Sequence, residues 1–243
     1  MKTQTIEYFD GSQKLLGQLF HDGNITQKKP AILIFPAFEG PGDFTTDYAQ
    51  KLVAQGYVAL VADIYGDGAS SNTWEGCLQL YGTVANDRKV VRTRAVLAYE
   101  TLLKQAGVDQ TKIGAIGFCF GGVCLLEVAR SGANLRAGVC AHTPLAKSDL
   151  PTGAVKTKLL ILNGYQDPQI PHATIDDFAK EMAAVNVNDW MFAYFGDAKH
   201  SFTDHRVGTM NPVIEKERGR EYNKLAADRT FRFAVDMFAE QLG

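Results

Sequence analysis

The chain has 243 residues, of which 46% are hydrophobic and 21% charged, and its formal net charge is −2. This length and apolar content suffice for one large core, so we predict a single α/β domain over residues 1–243. Because the charge is near zero and no segment concentrates Lys or Arg, we exclude nucleic-acid and anionic-membrane partners and expect a small-molecule substrate.

The N-terminal residues Met1 to Glu7 lack the apolar segment of a secretory signal. No run reaches the length of about 18 apolar residues that spans a bilayer, and we therefore expect a soluble cytoplasmic protein. The four cysteines do not suggest a disulfide scaffold. Cys124 and Cys140 lie in apolar segments and are interpreted as core, and Cys77, in a polar loop, as structural. We expect neither a metal nor a cofactor.

The chain opens with a predicted β-hairpin, in which residues 3–9 and 14–20 flank an Asp10-Gly11 turn. Short apolar runs then alternate with helix-length segments, a pattern typical of a parallel sheet with helices on both faces. The predicted strands are residues 31–35, 57–62, 112–116, 135–141, 158–162 and 190–195. The predicted helices are residues 46–55, 86–105 and 173–185, and a last helix that includes 223–241.

Residues 64–84 carry four glycines and are predicted to form a long irregular connection after a strand. Connections of this length inside a compact domain often carry function, for example as the cover of a binding pocket.

The most informative stretch is the apolar run Ile113 to Gly122, which is broken by glycines around Cys119. We predict a strand that ends in a sharp turn and presents Cys119 at the start of a helix. Gly117 and Gly121 complete the pattern G-x-C-x-G, the nucleophile elbow with sulfur in place of a hydroxyl. The positive end of a helix stabilises a thiolate. Tight packing around a buried cysteine is the alternative interpretation.

Two later strands are followed by residues that complement a thiol nucleophile. Asp167 follows strand 158–162 and His200 follows strand 190–195. The carboxyl ends of parallel strands share one edge, and the order nucleophile, acid, base is that of α/β hydrolases. The carboxylate would orient the imidazole that handles the proton of the thiol. Asp167 is equally explained as the start of an Asp-Pro turn.

His200 is one of five histidines. His21 ends the hairpin, and His172 starts a helix beyond the acid loop. His142 follows a strand and would lie near the site, but it precedes the acid in the chain, which is the wrong order for the base. His205 is the nearest alternative, and its position favours it less than His200.

An oxyanion hole in this arrangement needs two backbone amides. The residue after the nucleophile supplies one, and the loop after strand 31–35 supplies the other. These positions are Phe120 and Phe38.

Four segments together resemble the dienelactone hydrolase family: Gly-Phe-Cys119-Phe-Gly-Gly, Gly-Tyr-Gln-Asp167-Pro, Lys-His200-Ser-Phe and Gln-Gly-Tyr57-Val-Ala-Leu-Val-Ala-Asp-Ile-Tyr-Gly. The resemblance covers nearly the whole chain. It implies a carboxymethylenebutenolidase-like α/β-hydrolase fold, in which a mostly parallel doubly wound sheet begins with an antiparallel hairpin and carries helices on both faces. It also implies a Cys-His-Asp triad on Cys119, His200 and Asp167 that hydrolyses lactones or small carboxylic esters through a thioester.

The chain departs from the family pattern at two places. Members that act on dienelactone carry a glutamate in the first oxyanion loop, where this chain has Ala37. Glu39, two residues later, is either its substitute or a solvated loop acid. Those members also hold the carboxylate of the substrate with arginines. The one expected after the catalytic histidine falls on Asp204, so that Arg206, two residues further on, is the candidate for substrate binding, and the other has no match in the long loop.

Aromatic residues are candidates for an apolar pocket, although they are also ordinary core residues. These candidates are Phe38, Trp74, Tyr81 and Phe202. The alternative to a hydrolase is a ligand-binding or thiol redox protein on the same fold, because fold does not fix function. The sequence leaves a monomer and a dimer open.

Overall fold

A computed structural model describes residues 1–187 and 189–243. The chain begins with two antiparallel strands, β1 (Lys2–Asp10) and β2 (Gln13–His21). Gly11, in the turn between them, has a φ of 59°, a left-handed conformation that glycine adopts without steric cost. The predicted hairpin is therefore confirmed.

Six further strands and seven helices follow in the described residues. The strands are β3 (Lys29–Phe35), β4 (Val58–Val61), β5 (Val108–Phe118), β6 (Ala137–Ala141), β7 (Lys158–Gly164) and β8 (Trp190–Phe195). The helices are α1 (Asp43–Ala54), α2 (Trp74–Val84), α3 (Arg88–Leu103), α4 (Phe120–Arg130), α5 (Thr174–Ala184), α6 (Pro212–Glu217) and α7 (Lys224–Leu242).

All eight strands form one sheet in the order β1-β2-β4-β3-β5-β6-β7-β8. Among the strands that the structure describes, β1–β2 and β2–β4 are the antiparallel pairs, and the other pairs are parallel. Helices α3, α4 and α5 cover one face, and α1 and α7 cover the other. The predicted doubly wound sheet is confirmed. Because helices cover both faces of the sheet, side chains on both faces of its strands are buried, which explains why the strands are continuously apolar. Each large apolar side chain buried in this way stabilises the fold by about 1.5–3 kcal/mol.

The strand order also places the candidate site. Strands β5, β6, β7 and β8 are parallel neighbours, so the residues that follow them lie at one edge of the sheet. The connections after β3 and β5 lead to opposite faces, since α1 and α4 lie in different layers. Ligands bind in the crevice that such a switch of direction creates.

Two helices have no counterpart among the predicted elements. The first is α2, within the segment that we expected to be irregular. Thr73 caps it, its Oγ1 accepting from the N–H of Gly76 at 3.2 Å, and two internal glycines mask its helical pattern. Cys77 consequently lies buried on a helix and not in a polar loop. The second helix, α6, begins with Pro212 directly after its cap.

In the described part of the chain, no helix is both long enough and apolar enough to cross a bilayer.

The junction of β5 and α4 is packed too closely for any side chain larger than hydrogen at two positions. A Cβ atom on Gly117 would lie 2.3 Å from the carbonyl oxygen of Gly121. On Gly121 it would lie 2.1 Å from the carbonyl oxygen of Phe35. Both obstacles are backbone atoms, which cannot move aside as a flexible side chain can. Gly121 is thus required by the crossing of α4 over β3, and Gly117 by the close approach of the first turn of α4 to β5.

Gly121→Ala should lower the free energy of unfolding by about 3 kcal/mol, because the added methyl group overlaps backbone that strand pairing holds in place. Gly82→Ala is the matched control on α2, where a Cβ would meet no atom within 4 Å. That change should raise stability by up to about 1 kcal/mol, since alanine favours helix. Urea denaturation of both variants measures the difference, and equal effects would contradict the steric explanation.

Candidate active site

Cys119 occupies the turn between β5 and α4 in a conformation that few side chains adopt. Its φ is 51° and its ψ is −115°. Such a conformation costs about 1–3 kcal/mol and persists only where the surroundings impose it. Here the N–H of Cys119 donates to the carbonyl of Ala141 at 3.0 Å, and its own carbonyl accepts from Gly122 at 3.0 Å. The half-buried sulfur is thereby fixed at the N-terminus of α4.

His200 lies between Cys119 and Asp167. Its Nε2 is 3.1 Å from the Cys119 sulfur, and its Nδ1 is 2.7 Å from Oδ2 of Asp167. The other carboxylate oxygen of Asp167 accepts from the N–H of Gln169 at 2.8 Å. All three side chains of this line come from loops after different strands of the sheet. The structure therefore brings together the thiol, the imidazole and the carboxylate in hydrogen-bonding order.

The charge of the His200 ring follows from its neighbours. Burial by itself would lower the pKa of His200, but an anionic Cys119 sulfur and the Asp167 carboxylate outweigh burial and raise this pKa to about 9. Beside an anionic sulfur, the His200 ring is therefore an imidazolium near neutral pH.

A second buried histidine lies behind the first. The rings of His142 and His200 meet edge to face, with centroids 5.3 Å apart. The Nε2 of His142 shares a hydrogen bond of 2.8 Å with the hydroxyl of Thr203. Burial, and then the charges of His200 and Arg220, hold the pKa of His142 well below its ordinary value. His142 is thus a neutral support of His200, near the site as its position after a strand predicts.

The two loops that flank Cys119 present backbone amides. The N–H of Phe120 belongs to the first turn of α4, where helix N–H groups have no acceptor within the helix. Residues Ala37 to Gly40 form a turn closed by the Gly40 N–H, which donates to the Ala37 carbonyl at 3.1 Å. Phe38 is the second residue of that turn, and both phenylalanines line the same cavity as Cys119.

This cavity has a volume of about 350 Å³, the size of a small-molecule site. Helix α2 forms one wall with Trp74, Leu78 and Tyr81, which share a helix face by their spacing. Trp74 and Tyr81, two of the aromatic residues predicted for a pocket, thus line it, as does Phe38. The segment after β4 thus covers the cavity, as its length suggests, but it does so with a helix and not with an irregular loop.

The sequence and the structure were compared with known proteins. Residues 18–242 match the model of the dienelactone hydrolase family. The chain belongs to the dienelactone hydrolase family. It is accordingly a carboxylic ester hydrolase of that type, with an α/β-hydrolase fold.

Three relatives illustrate the similarity. A Bradyrhizobium sp. protein named "Probable 2-oxo-3-(5-oxofuran-2-ylidene)propanoate lactonase" is 29% identical over 203 residues, covering 78% of this chain and 79% of that protein. A carboxymethylenebutenolidase homolog of Mus musculus is 26% identical over 179 residues, covering 69% of this chain and 68% of that protein. The crystal structure of a dienelactone hydrolase-like promiscuous phosphotriesterase from metagenomic libraries has a TM-score of 0.91 and 31% identity, covering 100% of this chain and 99% of that chain.

In this member of the dienelactone hydrolase family, Glu39 forms a partly buried ion pair. A terminal nitrogen of Arg220 donates to Oε1 of Glu39 at 2.5 Å. The hydrogen-bond partner of Glu39 is therefore this guanidinium and not the thiol of Cys119. The guanidinium of Arg220 lies 4.8 Å from the ring centre of Phe38 and 5.7 Å from that of Trp74. Only 2% of the Arg220 side chain is exposed. Arg220 thus forms part of the cavity wall, and Glu39 holds it from outside the cavity.

No local motif marks Arg220 as a site residue. It lies 20 positions beyond His200, between α6 and α7. An isolated β-bridge pairs it with His200, through the N–H of His200 to the Gly219 carbonyl at 2.9 Å and the N–H of Glu221 to the His200 carbonyl at 3.0 Å. This tertiary pairing places the arginine beside His200 at the cavity.

Two residues predicted for the pocket lie elsewhere. Phe202 is fully buried in the core, with its ring against those of His142 and Phe195, because Ser201 at a φ of 58° turns the chain inward. Arg206 pairs with Asp204 at 3.0 Å and lines a separate depression. The alternative base, His205, packs on Tyr222 and not beside Cys119.

Glu39→Ala should lower the free energy of unfolding by about 3 kcal/mol, because it leaves the buried Arg220 charge without its closest carboxylate. Lys180→Ala breaks the exposed Lys180–Asp177 pair, whose side chains are 75% and 76% exposed, and should cost less than about 0.5 kcal/mol. Urea denaturation at constant salt compares the two. A loss below about 1 kcal/mol for Glu39→Ala would show that the pair contributes little.

Proposed function

We propose that the chain hydrolyses lactones or small carboxylic esters through a thioester on Cys119, with His200 and Asp167 as its partners. The observation that carries the proposal is the continuous line from the Cys119 sulfur through both ring nitrogens of His200 to the Asp167 carboxylate, with contacts of 3.1 and 2.7 Å. This is the hydrogen-bonding order that nucleophilic catalysis requires. The size of the cavity agrees with a small substrate.

In the first half of the reaction, the Cys119 thiolate attacks the carbonyl carbon of the ester. A carbon–sulfur bond forms, and the carbonyl electron pair moves to oxygen. The amides of Phe38 and Phe120 donate to this oxyanion, a contribution worth about 2.7–4 kcal/mol for one such donor. The carbon–oxygen bond then breaks, and the His200 imidazolium gives its proton to the departing alkoxide. In a lactone, that alcohol stays attached to the acyl group.

In the second half, neutral His200 takes a proton from water as the water oxygen attacks the thioester. The second tetrahedral intermediate uses the same two amides. Its collapse breaks the carbon–sulfur bond, releases the carboxylic acid, and restores the thiolate beside the imidazolium. Asp167 keeps Nδ1 protonated throughout, so that Nε2 faces the sulfur and the leaving oxygen.

The remaining proposed roles concern the walls of the cavity. Trp74 and Tyr81 on α2 would contact the apolar part of the substrate. Glu39 would act through Arg220, whose position it fixes, and not by direct proton exchange with the thiol. This assignment agrees with Ala37 at the position of the glutamate that dienelactone-cleaving members carry.

Cys119→Ala should abolish turnover of an activated aryl ester together with the initial burst of phenol that accompanies formation of the acyl-enzyme. Stopped-flow absorbance measures the burst, and intact-mass spectrometry after rapid quenching detects the acyl group on the wild-type protein. Cys124→Ala, on the same helix but fully buried, is the matched control and should retain the burst.

Equal turnover by Cys119→Ala and wild type would reject the thioester mechanism. No turnover of any lactone or ester by the wild type, together with a reversible oxidised adduct on Cys119 after mild peroxide, would favour a thiol redox protein instead.

The rate should fall at alkaline pH. The pKa of His200 is raised to about 9, so the imidazolium that protonates the leaving oxygen is present below this pH and is lost above it. We expect kcat/KM to decrease about tenfold per pH unit above about pH 9. In Asp167→Asn, which lacks one of the charges that raise this pKa, the alkaline limb should begin at lower pH. An identical limb in both proteins would assign it to another group.

A further inference from the structure

Tyr65 contacts both residues that would form the oxyanion hole. Its hydroxyl donates to the carbonyl oxygen of Phe38 at 2.9 Å. Its ring lies nearly parallel to that of Phe120, with an interplanar angle of 9° and centroids 6.2 Å apart. Tyr65 is buried and is not among the residues that line the cavity around Cys119. It therefore reaches the site only through these two phenylalanines.

The hydrogen bond from Tyr65 restrains the direction of the Phe38 amide. The Gly40 N–H holds the Ala37 carbonyl at 3.1 Å and so orients the peptide plane that contains the Phe38 N–H. The Tyr65 hydroxyl holds the carbonyl of Phe38, which belongs to the next plane along the chain. With both planes fixed, the turn cannot rotate the Phe38 N–H away from the cavity.

Tyr65 is itself held on both sides of its backbone. The buried Asp63 carboxylate accepts from the N–H of Tyr65 at 2.9 Å and from the N–H of Gly66 at 2.8 Å. A guanidinium nitrogen of Arg94 donates to the Tyr65 carbonyl at 2.8 Å. These contacts give a structural role to the segment Asp63 to Gly66. The segment is one of those that resemble the family, but it contributes no residue to the proposed triad.

We propose that Tyr65 is a positioning residue that aligns the Phe38 and Phe120 amides with the oxyanion. The inference rests on the proposed function and extends it to a residue that does not touch the substrate. Fixed donors of this kind stabilise charge that develops only in the transition state, so their alignment affects kcat and not substrate binding. Burial raises the pKa of the Tyr65 hydroxyl, which keeps it protonated and able to donate across the working pH range.

Tyr65→Phe tests the proposal, because it removes the hydroxyl and keeps the ring against Phe120. We expect kcat for an aryl ester to fall about tenfold, with KM changed less than about twofold. The affinity of a trifluoromethyl ketone with the same acyl chain should fall by about the same factor as kcat, since it forms a tetrahedral adduct with an oxyanion. The rate of Cys119 alkylation by iodoacetamide should not change, because that displacement forms no oxyanion.

Tyr57→Phe is the matched control, a buried tyrosine that packs against Phe238 in the other layer of the core. It should leave all four measurements unchanged. Phe120→Leu is the second variant, to be used if Tyr65→Phe folds poorly. It removes the ring that stacks on Tyr65 but keeps the backbone amide, and it should lower kcat and ketone affinity in the same way.

Unchanged kcat and ketone affinity in folded Tyr65→Phe would overturn the proposal. A parallel loss of the alkylation rate would also overturn it, because the residue would then act on the thiol. Failure of the thioester mechanism would be detected separately, as turnover by Cys119→Ala. That result does not depend on how Tyr65→Phe behaves.

Discussion

The close approach of α4 to β3 is the constraint on which the rest of the site depends. It leaves no room for a Cβ atom at Gly121, 2.1 Å from the Phe35 carbonyl, and so brings the start of the helix directly over the loop after β3. Cys119, two residues before Gly121, has a positive φ of 51° and lines the cavity. Both amides of the proposed oxyanion hole flank this crossing. The geometry of the candidate site is thus a consequence of backbone packing, which offsets the strain at Cys119.

Much of this architecture could be predicted from the sequence because it follows from local patterns. Apolar runs separated by helix-length segments define a parallel sheet, and the carboxyl ends of its strands bring Asp167 and His200 to the edge where Cys119 lies. The site could therefore be predicted although His200 lies 33 residues from Asp167 and 81 residues from Cys119 in the sequence. Helix α2 escaped prediction because Gly76 and Gly82 weaken the helical signal, whereas packing against the protein stabilises the helix.

Three residues that sequence reasoning misplaced or missed lie between β8 and α7, where contacts formed in the folded loop decide their positions. Ser201 turns Phe202 into the core, although its position beside His200 suggested the pocket. Arg206 finds a partner two residues away in Asp204 and stays outside the cavity. Arg220 arrives from beyond α6 through a single β-bridge. None of these outcomes is encoded in a spacing or a motif, because each depends on which neighbour offers the better contact.

Ala37 changes how the charge of Cys119 must be controlled in the proposed mechanism. Without a carboxylate at that position, the charged groups that bear on the sulfur are cations: His200 at 3.1 Å, and Arg220, whose own pKa is raised partly by an anionic Cys119. Glu39 offsets the charge of Arg220 and holds the guanidinium against the aromatic wall. A thiolate that forms an ion pair with imidazolium before substrate binds needs no carboxylate to remove its proton. The absence of that glutamate is then compatible with the proposed nucleophilic role of Cys119, because Nε2 of His200, 3.1 Å from the sulfur, can accept the proton instead.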